Sequence, residues 1–150
     1  MRQLFLSCSG FVSFFNLRLI VSISPSQQDG GGYGGGSAVT ADFSYLDHTV
    51  NNSFVLVVTQ YRIGAFGFAS STEISEHGVI NAGLQDIYFA LKWVKQHISK
   101  FGGDPDRITV GGDSAGGGAV MLLAMANGGE EGTKLFQQAL TDSTYLPTMP

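Results

Sequence analysis

The chain has 150 residues, enough for one domain, with 43% hydrophobic and 13% charged residues and a formal net charge of −4. The charged share falls well below the usual figure of about 25%, which suits a buried piece of a larger protein better than a free-standing small domain. Lys and Arg are scattered without a basic run, which argues against a nucleic-acid partner; the single Cys8 excludes an internal disulfide, and no Cys/His spacing suits a metal ion.

In chain order, Met1–Ile23 is apolar with Arg2 near its start. Leu4–Phe15 has the character of a signal-peptide h-region, but Ser7, Ser9, Ser13 and Asn16 interrupt it and no A-x-A-like cleavage site follows. Arg18 breaks the run, which argues against a transmembrane span. A signal peptide, a buried segment and a non-native start stand side by side as readings of residues 1–28. Within them, Leu17–Ile23 suits a strand leading into a glycine cluster. Gly30–Asp47 reads as loop, with a short helical turn at Asp42–Asp47. Asn51-Asn52-Ser53 is a glycosylation sequon, usable only in a secreted chain.

Phe54–Thr59 is β-branched and continuously apolar, as a strand covered on both faces should be. Arg62–His77 reads as a Gly/Ser-rich excursion. From Ala82 the period becomes helical: Leu84, Ile87, Leu91, Val94, Ile98 and Phe101 mark one face, widened by Tyr88, with Trp93 on its flank as core. Gly102-Gly103 stops this helix and Asp104-Pro105 opens a turn. Arg107–Val110 is the next strand, Ala115–Ala126 its following helix, Asn127-Gly128-Gly129 the helix end, and Gln137–Thr141 a further strand. Strands alternating with helices predict a parallel α/β sheet with functional loops at the strand C-termini. There is no internal repeat and no second domain.

The chemistry concentrates in two glycine clusters. Gly112-x-Ser114-x-Gly116 lies between the Ile108–Val110 strand and the Ala119–Ala126 helix, the setting a nucleophile elbow requires. Glycines on both sides remove side chains that would clash in so tight a turn, and the helix N-terminus favours an anion near Ser114. The plainer alternative is a glycine-rich turn with a solvated serine. Upstream, Gly30-Gly31-Gly32-Tyr33-Gly34-Gly35-Gly36-Ser37 offers backbone N–H groups that no side chain blocks, as an oxyanion site needs. A flexible linker is the alternative. The literal G-x-G-x-x-G match at Gly30, Gly32 and Gly35 is weak, because Ala38–His48 shows no helical stripe.

With both clusters in view, the chain resembles the type-B carboxylesterases, the serine esterase family that includes cholinesterases and fungal lipases. The resemblance runs from about Gly30 to Pro147. It is carried by Gly30–Tyr33, Tyr61–Phe68, Asn81–Asp86, Ala90–Val110, Gly111–Gly117 and Leu135–Ser143 in that order. It implies a partial α/β-hydrolase fold, a mostly parallel sheet flanked by helices and incomplete at both ends, with residues 29–150 as the N-terminal part of a catalytic domain. By motif position Ser114 matches the nucleophile. Gly31, Gly32 and Ala115 match the oxyanion-hole donors, and Tyr33 matches an aromatic beside the acyl pocket. The implied substrate is a small-molecule or lipid ester, with no cofactor and no metal; a secreted location rests on the signal-peptide reading of residues 1–28, one of the three left open.

Some positions depart from the family pattern. Asp113 stands where Glu is usual, Asp29 where His, Gln or Tyr is usual, and residues upstream of Asp29 match nothing. The family triad runs Ser, then Glu or Asp, then His. No histidine follows Ser114; His48, His77 and His97 all precede it, and Glu130, Glu131 and Asp142 are in the wrong places for the acid. The expectation is an ester-hydrolase fragment that carries the nucleophile but lacks the acid and the base, and is inactive alone. The alternative is an inert truncated or adhesion-type interaction protein of the same fold.

Overall fold

A computed structural model describes residues 5–7, 17–23, 31–37 and 54–146. Asp29, Gly30, the Asp42–Asp47 turn, His48 and the Asn51 sequon lie outside them.

Five strands form one sheet: β1 (Phe5–Ser7), β2 (Leu17–Ser22), β3 (Phe54–Val58), β4 (Gly103–Asp113) and β5 (Gln138–Asp142), in the order β1-β3-β2-β4-β5. β1 runs antiparallel to β3, and the β3-β2-β4-β5 pairs are all parallel. The helices are α1 (Gly64–Phe68), α2 (Thr72–His77), α3 (Ala82–His97), α4 (Ala115–Met125) and α5 (Glu130–Leu135). The mostly parallel α/β architecture expected from the alternating pattern is the one observed. β2, from the segment that matched nothing, is the middle strand, with Val21 wholly buried.

Alternation along the strands sorts side chains between two faces. Val21, Val55, Val57, Ile108 and Val110 join Ile87, Leu91 and Val94 of α3 and Ala119, Val120 and Leu123 of α4 in the main core. Leu56 and Val58 form a separate cluster with Ile20 and Phe54. Ile87, Leu91 and Val94 have no exposed surface, and burying each contributes about 1.5–3 kcal/mol. The stripe ends sooner than its period suggested. The helix tightens into a 3₁₀ turn over Ile98–Phe101, which turns Phe101 off the core face and leaves it 38% exposed. Trp93 packs on the core as expected. Gly102, at φ 83°, ends the turn.

Other boundaries differ for local reasons. β4 begins at Gly103, not Arg107, because its pairing jumps from Leu17↔Gly103 to Leu19↔Ile108 and bulges the Asp-Pro segment out of register. The Arg62–His77 excursion contains α1 and α2. The Ser71 hydroxyl caps α2, accepting from the Ile74 N–H at 3.2 Å. α4 stops where Asn127, Gly128 and Gly129 take φ values of 52°, 72° and 90°, and α5 follows at once. No helix among the described residues is long and apolar enough to cross a membrane.

Candidate active site

Ser114 sits between the end of β4 at Asp113 and the start of α4 at Ala115. Its backbone is at φ 53° and ψ −119°, a region that L-residues avoid and that costs about 1–3 kcal/mol. Gly112 makes the turn possible: a Cβ there would lie 2.3 Å from the carbonyl carbon of Gly116. Gly117 lets the segment after β5 lie flat on the helix, since its Cβ would meet the Thr144 Oγ1 at 3.1 Å and the Asp142 carbonyl at 3.2 Å.

Backbone bonds hold the strained residue. The Ser114 N–H donates to the Asp142 carbonyl at 3.0 Å. Its carbonyl accepts from the N–H groups of Gly118 at 3.0 Å and Tyr145 at 2.9 Å. Ser114 itself is partly exposed, whereas Ala115 is buried. The amide of Ala115 belongs to the first turn of α4, where N–H groups lack intrahelical acceptors.

The upstream glycine loop is folded against the same end of the sheet. The N–H groups of Gly34 and Gly35 donate to the Gly31 carbonyl at 3.0 and 3.2 Å. Gly32 takes φ 54°, which glycine adopts freely. The Gly34 and Gly35 amides are thus used within the turn itself. Tyr33 anchors the loop. Its carbonyl accepts from the Gly64 N–H at 2.7 Å, its ring meets Phe68 edge-on at 4.8 Å, and its hydroxyl lies 3.4 Å from the Tyr145 carbonyl. Burial, then the neighbouring Tyr145, raises the Tyr33 phenol above its ordinary value. Tyr33 and Ser114 thus both contact Tyr145, although the loop and the elbow are far apart in sequence.

Sequence reasoning missed the supports. Asp86 on α3 binds Arg62 three ways: the backbone N–H at 3.1 Å, Nε at 2.7 Å and an Nη at 2.9 Å. This bidentate pair, 24 positions apart, fixes the segment that carries Phe68 to Tyr33. Close packing on glycine helps: a Cβ at Gly83 would lie 2.5 Å from the Phe68 ring. Tyr145 carried no signal beyond its place after the last strand. Of the histidines, His77 is exposed beside Glu76, and His97 packs on Trp93 at 4.9 Å.

A profile of the carboxylesterase family matches residues 29–148. The chain is 38% identical over 128 residues to a secreted triacylglycerol lipase of Gibberella zeae, covering 81% of this chain and 22% of that protein. It is 43% identical over 119 residues to the para-nitrobenzyl esterase of Bacillus subtilis, covering 77% of this chain and 23% of that protein. The crystal structure of Aspergillus niger EstA superposes with a TM-score of 0.73 at 40% identity, over 83% of this chain and 23% of that one. The sheet, the helices and these likenesses define a partial α/β-hydrolase fold. The chain belongs to the carboxylesterase family, whose members include lipases and esterases. It spans less than a quarter of the length of the relatives it matches.

Proposed function

We propose that this chain carries the nucleophile and the oxyanion site of a serine carboxylic-ester hydrolase. The observation that carries this reading is the strained backbone of Ser114 between a parallel strand and a helix. The Ser114 Oγ attacks the ester carbonyl carbon, and its proton passes to a histidine outside residues 1–150. The former carbonyl oxygen becomes an oxyanion facing the N–H groups of Gly31, Gly32 and Ala115. Collapse expels the alcohol, which takes up that proton, and water then cleaves the acyl-enzyme. Tyr33 lies beside the acyl group. The substrate is a small-molecule or lipid ester, and the secreted Gibberella zeae relative supports a secreted location.

These 150 residues alone have little or no turnover, because a serine is a weak nucleophile without a base and none of the three histidines follows Ser114. The second reading is an inert or adhesion-type protein of the same fold. A longer product of the same gene that contains an in-frame His preceded by Glu or Asp separates the two. It should hydrolyse a short-chain activated ester and lose that activity in Ser114→Ala. Failure of that product to turn over ester would end the enzymatic reading. Robust turnover by residues 1–150 alone, abolished by Ser114→Ala, would show that the base lies within them.

A further inference from the structure

The segment 31–37 is glycine except at Tyr33 and Ser37. Glycines lose the most backbone freedom on ordering, so such a loop has little intrinsic reason to hold one shape. Its one large side chain ends in a notch on α4. A Cβ at Gly118 would lie 2.6 Å from the Tyr33 hydroxyl and 2.2 Å from the Tyr145 carbonyl. Three chain segments therefore meet where only glycine fits: the loop, the elbow helix and the segment after β5. At 3.4 Å the Tyr33–Tyr145 hydrogen bond is long, so shape contributes more than the bond does. Tyr145 in turn donates to the Ser114 carbonyl at 2.9 Å.

We propose that Tyr33 is a positioning residue: seated in the Gly118 notch, it sets the place of the Gly31 and Gly32 amides relative to Ser114. Tyr33 is bonded directly to Gly32, and consecutive Cα atoms are about 3.8 Å apart, so fixing one closely limits the other. The functional consequence rests on the proposed oxyanion role of those amides; the docking does not. Misplacing reacting groups by about 1 Å can cost about a hundredfold in rate, so one anchor in a glycine loop has leverage. Gly118 acts on the same contact from the opposite side.

Two readouts on the full chain test this. The first is amide hydrogen exchange at Gly34, Gly35 and Gly64, with Leu91 in the core of α3 as the internal control. Tyr33→Ala should speed exchange at the three loop-linked amides about tenfold or more and leave Leu91 unchanged. Gly118→Ala, whose Cβ crowds both the Tyr33 hydroxyl and the Tyr145 carbonyl, should do the same, and Tyr33→Phe, which keeps the ring, should fall between wild type and Tyr33→Ala. Unchanged exchange at the loop-linked amides in Tyr33→Ala would overturn the proposal. If Gly118→Ala also loosens Leu91, the helix itself has failed and Tyr33→Ala decides alone. The second readout is the rate at which a fluorophosphonate labels Ser114 in the longer, His-containing product. Tyr33→Ala should slow it about tenfold at an unchanged melting temperature, with most of the rate restored in Tyr33→Phe. Equal labelling of wild type and Tyr33→Ala would overturn the positioning role. An unlabelled wild type would defeat the proposed function, while the exchange result would still decide the docking.

Discussion

The backbone N–H of Tyr145 donates to the carbonyl of Ser114 at 2.9 Å. The strained residue is thereby held from outside its own turn, by a segment that follows the last strand. The Asp142 carbonyl accepts from the Ser114 N–H at 3.0 Å and completes the clamp. This arrangement keeps a serine at φ 53° when the local chain would relax it.

Because the strain belongs to the Cβ, Ser114→Gly should remove it. We expect a gain of about 1 kcal/mol, after the greater freedom of glycine in the unfolded chain has offset part of the relief. Urea denaturation of the two proteins measures it. A loss of stability would mean that the conformation at this position carries no strain.

Gly112 and Gly111 are neighbours with opposite expectations. Gly112→Ala drives a Cβ to 2.3 Å from the carbonyl carbon of Gly116, backbone that cannot step aside, and should cost about 3 kcal/mol. Gly111→Ala meets only the Leu140 carbonyl at 3.9 Å, so it should be neutral or gain up to about 1 kcal/mol from its strand position. Equal midpoint shifts for the two variants would contradict this account of the elbow.

Tyr61 is 4% exposed, and its hydroxyl has no hydrogen-bond partner among the described residues. Tyr61→Phe keeps the ring and should stabilise the protein by about 1 kcal/mol at neutral pH. Burial, with a smaller contribution from Tyr33, pushes the phenol up to about 12. Between the ordinary value of about 10 and that raised value, the unfolded chain releases a proton that the folded chain keeps, so stability falls as pH rises. Tyr61→Phe should flatten that alkaline decline. Parallel stability curves for the two proteins above pH 10 would refute it.

Glu131 accepts a short hydrogen bond from the Tyr88 hydroxyl. That bond, then the nearby Lys134, holds the carboxyl below its ordinary value. A depressed folded value adds stability above the unfolded value of about 4.3, and the gain disappears as pH falls through the lowered folded value. Tyr88→Phe should therefore lose stability near neutrality and converge with wild type in acid. An acid-independent difference between the two would assign the loss to packing alone.

The elements that depend on local pattern were legible in the chain itself. The 3.6-residue period announced α3, the apolar run announced β3, and the glycine spacing around Ser114 announced a tight strand-to-helix turn. Those signals arise within a few residues, so sequence alone contains them. Short pieces were less legible: α1, α2 and α5 have too few residues to establish a period. Phe101 failed the pattern because the helix changed pitch at Ile98.

What sequence could not decide was convergence. It could place Gly31, Gly32, Tyr33 and Ser114 on loops at the ends of strands, but not how close those loops come. The tertiary structure set that through contacts between distant positions: Asp86 on Arg62, Phe68 on Tyr33, Tyr145 on Ser114, and the notch at Gly118. Each depends on where two segments meet after the sheet has formed, and a linear pattern of residue types records no such distance.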